Sequence, residues 1–175
     1  PVVNDLLRHF GLIVAIQDWH PPTHASFASN HPGKKIYEKI ILDGLEQVLW
    51  PDHCVQGSRG AALADALNTN PVEAIFRKGT DPSIDSYSAF FDNGHKKSTG
   101  LVDYLRGRKV GTIYVVGLAA DYCVYFTIMD GLKLGFETVL IQDATRALSE
   151  EGFQAALKNI KAEGGKIILS REFLG

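Results

Sequence analysis

The chain has 175 residues, of which 45% are hydrophobic and 22% charged, with a formal charge of −2. That is enough apolar material for one sizeable core, and the interspersed charges favour neither nucleic acid nor an anionic membrane as a partner. No apolar run approaches the ~20 residues that span a bilayer and no leader peptide is visible, while two cysteines fit a reducing cytoplasm better than a disulfide framework.

A helix is expected over Val2 to His9 and a strand over Leu12 to Ile16. The stretch from Asp18 to Gly57 is rich in His, Pro and Gly and has little period; it is too long for an ordinary connection, which marks a functional loop. Further helices are expected over Gly60 to Asn68, Gly100 to Gly107, Asp121 to Leu134 and Ser149 to Glu163. The remaining strands fall at Val72 to Arg77, Thr112 to Val116, Thr138 to Ile141 and Lys166 to Leu169. Ser149 reads as a helix cap and Gly164-Gly165 as a stop. The alternation predicts an α/β fold in one domain over residues 1–175, a doubly wound and mostly parallel sheet covered on both faces. Such sheets place their sites at strand C-terminal ends.

Three constellations fall there. Asp18-Trp-His20 follows a strand, and alternation along an extended chain turns Asp18 and His20 to one side. With His53 in Trp50-Pro-Asp-His-Cys54 they form a mixed O/N set suited to zinc, iron or manganese, with too few ligands for a closed structural site. Lys78 ends the next strand ahead of a Gly/Pro loop, where a cation lowers a thiol pKa and steadies an oxyanion. Cys123 follows the run Thr112 to Gly117 at the start of a helical pattern, where the macrodipole favours thiolate. Cys54 is read as a packed thiol, and His9, His31 and His95 as solvated surface.

Read together, Gln17 to Phe27, Trp50 to Gln56, Arg77 to Pro82, Asp85 to Phe91 and Val116 to Val124 resemble the nicotinamidase (pyrazinamidase) branch of the isochorismatase-like cysteine hydrolases. The resemblance implies a three-layer α/β/α fold and hydrolysis of nicotinamide, with pyrazinamide as a second substrate, in NAD salvage. Cys123 is then the nucleophile and Lys78 its basic partner in an Asp-Lys-Cys triad, with Asp18, His20 and His53 as metal ligands and His24 behind them, or alternatively a fourth ligand. Trp50 and Tyr87 flank the pyridine ring, and a cis Leu118-Ala119 bond aims the N–H groups of Ala119 and Cys123 at the substrate oxygen. The metal is expected to be zinc, with iron or manganese as alternatives, and self-association is left open.

The resemblance also places the triad's aspartate on a first strand that these residues do not contain, so the sequence is expected to omit a natural N-terminal segment, and a protein confined to these residues to be inactive. In the family's strand order that strand lies between Leu12 to Ile16 and Thr112 to Val116, so these two are expected not to pair. Two other readings stand beside this one, a metal- or nicotinamide-binding pseudoenzyme and a different isochorismatase-like amide hydrolase.

Overall fold

A computed structural model describes residues 1–174 of the chain. In chain order the elements are α1 (Val2–Leu7), β1 (Val14–Asp18), β2 (Lys39–Leu42), β3 (Leu45–Val48), β4 (Ala74–Lys78), α2 (Leu101–Gly107), β5 (Thr112–Leu118), a π-helical turn (Ala120–Val124), α3 (Tyr125–Lys133), β6 (Glu137–Arg146), α4 (Glu150–Ala162), β7 (Lys166–Ile168) and α5 (Ser170–Leu174). β1 pairs with β4 and β5-β6-β7 form a second ladder, all parallel. As the expected strand order requires, β1 and β5 share no ladder.

Alternation along the strands explains why helices cover both faces. Val115, Leu140 and Ile167 lie side by side in register and pack with Ile128 of α3 and Ile160 of α4. One residue on, Val116, Ile141 and Ile168 pack with Leu6 of α1, so successive side chains serve opposite layers. Leu101, Val102 and Leu105 of α2 join Phe90 and Phe136 in a third cluster, against Val14, Ile16, Phe76 and Ile113. α4 starts where its cap demands, with the Ser149 hydroxyl accepting the Gly152 N–H. Among the described residues no helix is long and apolar enough to cross a membrane.

Three local expectations fail for physical reasons. Gly60 to Asn68 forms only a 3-10 turn at Arg59–Ala61. Its leucines find only partial burial, too little to carry a short helix, and Asn4 takes the competing bonds, donating to the Ala66 carbonyl and accepting the Asn68 N–H. The aperiodic loop contains the β2–β3 hairpin, turned by Asp43 at φ 52° and Gly44 at φ 80°, the pair of positive angles a two-residue type I′ turn needs. His31 is not merely solvated, its Nε2 lying 2.7 Å from the Ala25 carbonyl, while His95 stays exposed as expected although it stacks on Phe91 with Nε2 3.4 Å from buried Asp130.

Candidate active site

The β1–β4 register sets the Cα positions of Asp18 and Lys78 opposite one another at the C-terminal ends of two neighbouring strands. The Lys78 ammonium, 5% exposed, uses its three N–H groups on Asp18 Oδ1 at 2.5 Å, the Ser86 carbonyl at 2.6 Å and Cys123 Sγ at 3.3 Å. Burial alone would lower the Lys78 pKa, but Asp18 and Cys123 outweigh it and hold the amine above the ordinary lysine value, hence charged. Asp18, expected only among the metal ligands, is thus also the carboxylate that pairs Lys78.

Cys123 sits in the π-helical turn, one turn before α3, after the cis Leu118–Ala119 bond. The Ala119 carbonyl accepts the N–H groups of Tyr122 and Val124, which closes that turn. The expectation of a thiol biased toward thiolate is corrected here. Burial pushes the Cys123 pKa up, Lys78 opposes this less strongly, and Asp18 adds to the rise. Cys54 is half-buried at φ 46°, and burial with Asp18 pushes its thiol up to about 11. Both cysteines are free.

The loop that carries the histidines is held by bonds of a strand-like kind. His20 N–H donates to the Cys54 carbonyl and Gln56 N–H to that of His20, a parallel bridge that brings His53 beside His20 with ring centroids 4.7 Å apart. Asp18, His20 and His53 each offer an atom within 4.8 Å of the other two. Ligands on one first-row ion sit about 3 to 4 Å apart, so small side-chain movements suffice. His53 Nδ1 lies 2.8 Å from the Pro51 carbonyl, to which it can only donate, so its Nε2 carries the lone pair. His20 Nε2 faces Asp85 Oδ1 at 3.3 Å, and its Nδ1 is buried without a hydrogen-bond partner. An orphaned imidazole nitrogen beside a carboxylate-oriented ring is what a ligand to a divalent cation leaves when the ion is taken away, and the set fits one.

His24 groups with His20 and Asp85 rather than with Asp18 and His53. Its Nδ1 is 2.8 Å from Ser26 Oγ, its Nε2 is buried and unpartnered, and burial, against a smaller opposing pull from Asp85, lowers its pKa to about 4. Burial would raise the Asp85 pKa, but its bond to His20 and the Lys78 charge hold the carboxyl well below the usual range.

Trp50 and Tyr87, expected to flank the ring, lie against each other, the indole N–H donating to the Tyr87 hydroxyl at 3.2 Å. Tyr122 stands edge-on to both, with centroids 4.8 and 5.5 Å away, and Phe126 lies 5.3 Å from Tyr87. The sequence reading missed Tyr122 and Phe126, although their spacing of four on a helical segment puts them on one face. It also missed Asp85 as the partner of His20 and Gly79, where an added Cβ would lie 2.5 Å from His20 Nε2.

Comparison with known proteins places the chain in a family. The isochorismatase domain model matches residues 27–172. A nicotinamidase of Escherichia coli is 50% identical over 137 residues, 78% of this chain and 64% of that protein, and one of Acinetobacter baylyi is 45% identical over 175 residues, 99% of this chain and 82% of that protein. The chain thus spans just under two thirds of the first relative and about four fifths of the second. Among solved structures, a nicotinamidase/pyrazinamidase of Acinetobacter baumanii superposes with a TM-score of 0.96 at 43% identity, covering 99% of this chain and 84% of that one. The pyrazinamidase of Pyrococcus horikoshii in complex with zinc gives 0.76 at 35% identity, covering 95% and 82% of the two chains, and PnC1 of L. infantum in complex with nicotinate gives 0.81 at 36%, covering 97% and 78%. The chain belongs to the isochorismatase-domain family, in its nicotinamidase branch.

Proposed function

We propose that the protein is a metal-dependent cysteine amidohydrolase that converts nicotinamide to nicotinate and ammonia, and accepts pyrazinamide, with Cys123 as nucleophile. The observation that carries this is the Lys78 ammonium, held between Asp18 at 2.5 Å and the Cys123 sulfur at 3.3 Å. A charged amine at that distance stabilises a thiolate that burial otherwise disfavours. The base that removes the thiol proton is assigned by the family resemblance to an aspartate that is not among these residues. Sulfur attacks the carboxamide carbon, the N–H groups of Ala119 and Cys123 take up the oxyanion, the proton leaves with ammonia, and water cleaves the thioester. Trp50 and Tyr87 hold the ring while the carboxamide faces the sulfur.

Asp18, His20 and His53 would hold a divalent ion, which would supply a Lewis-acidic anchor for the ring nitrogen. Zinc is the proposed metal, from the mixed O/N donor set and the zinc complex of the Pyrococcus horikoshii relative, with iron and manganese suiting the same donors. His24 remains outside the ligand set. The 175 residues act as one domain of this hydrolase, and two free thiols suit a cytoplasmic enzyme.

The test is ammonia release from nicotinamide by the protein that carries this sequence, with mass spectrometry of the peptide trapped by an electrophilic nicotinamide analogue. The expected adduct is on Cys123, with Cys123→Ala inactive and Cys54→Ala retaining turnover within about threefold. An adduct confined to Cys54 would refute the assignment.

A further inference from the structure

Gln47 has no role in the chemistry above, yet it is a polar side chain only 3% exposed on the second strand of the hairpin. Its amide nitrogen lies 3.3 Å from Asp85 Oδ2, 3.0 Å from the Tyr87 hydroxyl and 2.7 Å from the Val48 carbonyl. Asp85 uses its other oxygen on His20 Nε2 and on the Ser86 N–H. Tyr87 in turn accepts the Trp50 indole N–H. One chain of contacts therefore runs from a metal-site histidine to the ring-flanking aromatics, His20 to Asp85 to Gln47 to Tyr87 to Trp50; Asn93 also joins Asp85 to Tyr87, but through their backbones, donating its N–H to the Asp85 carbonyl and accepting the Tyr87 N–H, whereas Gln47 joins the Asp85 carboxylate to the Tyr87 hydroxyl.

The chemistry of the link is one-directional. An amide NH2 has two hydrogens and here faces three acceptors, so the nitrogen must share one hydrogen between two of them. Removing the Tyr87 hydroxyl leaves the amide free to turn toward Asp85 or the backbone. Removing the amide leaves a buried carboxylate short of a donor, which costs more than an average hydrogen bond because the group is charged. Either change alters what the amide offers Asp85, whose other oxygen lies 3.3 Å from His20 Nε2.

We propose that Gln47 is a positioning residue that couples the metal-binding His20, through Asp85, to the ring-binding pair Tyr87 and Trp50. The proposal rests on the metal site described above. Gln47 touches neither metal nor substrate, and acts by holding the Asp85 carboxylate and the Tyr87 ring in one mutual arrangement.

The experiment is a double-mutant cycle read as zinc affinity, by competition with a chromophoric chelator at fixed pH, with thermal unfolding as a check on folding. Gln47→Leu is expected to weaken zinc binding about 10- to 100-fold, the usual effect of losing a group that orients a ligand. Tyr87→Phe, which removes an oxygen that touches no ligand, is expected to weaken zinc severalfold in the wild-type background and to have no further effect in Gln47→Leu. Gln47→Glu, which keeps the shape but sets a second carboxylate against Asp85, is expected to be no better than Gln47→Leu. Folded variants with zinc affinity within twofold of wild type would overturn the proposal, as would strictly additive effects. If Gln47→Leu does not fold, Tyr87→Phe alone decides: unchanged zinc affinity overturns the coupling, and a severalfold loss supports it. A wild-type protein that binds zinc but does not hydrolyse nicotinamide would refute the proposed activity and leave this cycle fully readable.

Discussion

Replacing Gly79 by alanine should injure the metal site without removing any group assigned a chemical role. The new Cβ would lie 2.5 Å from His20 Nε2, 2.7 Å from Cδ2 and 3.3 Å from Cε1. Nonbonded carbon and nitrogen atoms settle at about 3.5 Å or more, so the ring must move by close to an ångström. It has little room: His20 is 1% exposed, with His24, His53 and Phe27 ring centroids 4.6, 4.7 and 5.5 Å away. Gly79 also sits at φ +64°, where an L-residue costs about 1 kcal/mol more than glycine. Overpacking adds about 1 to 3 kcal/mol, for a total loss of about 2 to 4 kcal/mol. The control is Gly57→Ala, at φ +75° with nothing within 4 Å of its added Cβ, which should show the backbone cost alone, about 1 kcal/mol. Urea unfolding gives the stabilities, and chelator competition gives the zinc affinity, expected to fall about 10- to 100-fold in Gly79→Ala only. Equal destabilisation by both substitutions, with zinc affinity unchanged in both, would show that the His20 ring yields freely and that the close approach of the loop is not what holds it.

Lys78→Met should slow iodoacetamide alkylation of Cys123 at neutral pH by roughly tenfold or more, because it removes the charge that opposes burial of the thiolate; unchanged or faster labelling, read by peptide mass spectrometry, would contradict the pairing. Cys54, pushed up to about 11, should label slowly in both proteins. In metal-free protein, His24 titrates near 4 when folded and near 6.5 when unfolded, so the unfolded state binds more protons between those values. Stability should therefore be level above pH ~6.5, fall as pH drops toward ~4, and lose that slope in His24→Gln. Asp85, held low in the fold, adds a further loss only below the unfolded carboxyl value of about 4. Chelation of the metal should abolish ammonia release while leaving the far-UV signature intact, since the clusters around Phe90, Ile128 and Leu6 include none of its ligands; loss of secondary structure on chelation would show that the metal holds the fold.

The strands and most helices were legible because their apolar periods report burial directly. Val115 and Val116, or Leu140 and Ile141, face opposite layers through alternation alone. The helix expected over Gly60 to Asn68 failed because composition does not say whether an apolar face has anything to pack on, and Asn4 lies more than 60 residues from the Ala66 and Asn68 backbone it binds. The hairpin had a visible signal in Asp43-Gly44 between Lys39 to Leu42 and Leu45 to Val48, obscured by the histidines and prolines around it.

The reactive groups were legible one at a time, and their couplings were not. Asp18 could be read as a metal ligand from its spacing to His20, but its bond to Lys78 comes from the parallel register of two strands 60 positions apart, in which Asp18 faces Lys78. A register shifted by one would turn alternate side chains to the wrong face and separate them. The charge of Cys123 is a similar case: a strand-to-helix position and a nearby lysine argue for a lowered pKa, while the depth of burial, which is set by the whole fold, decides the sign the other way.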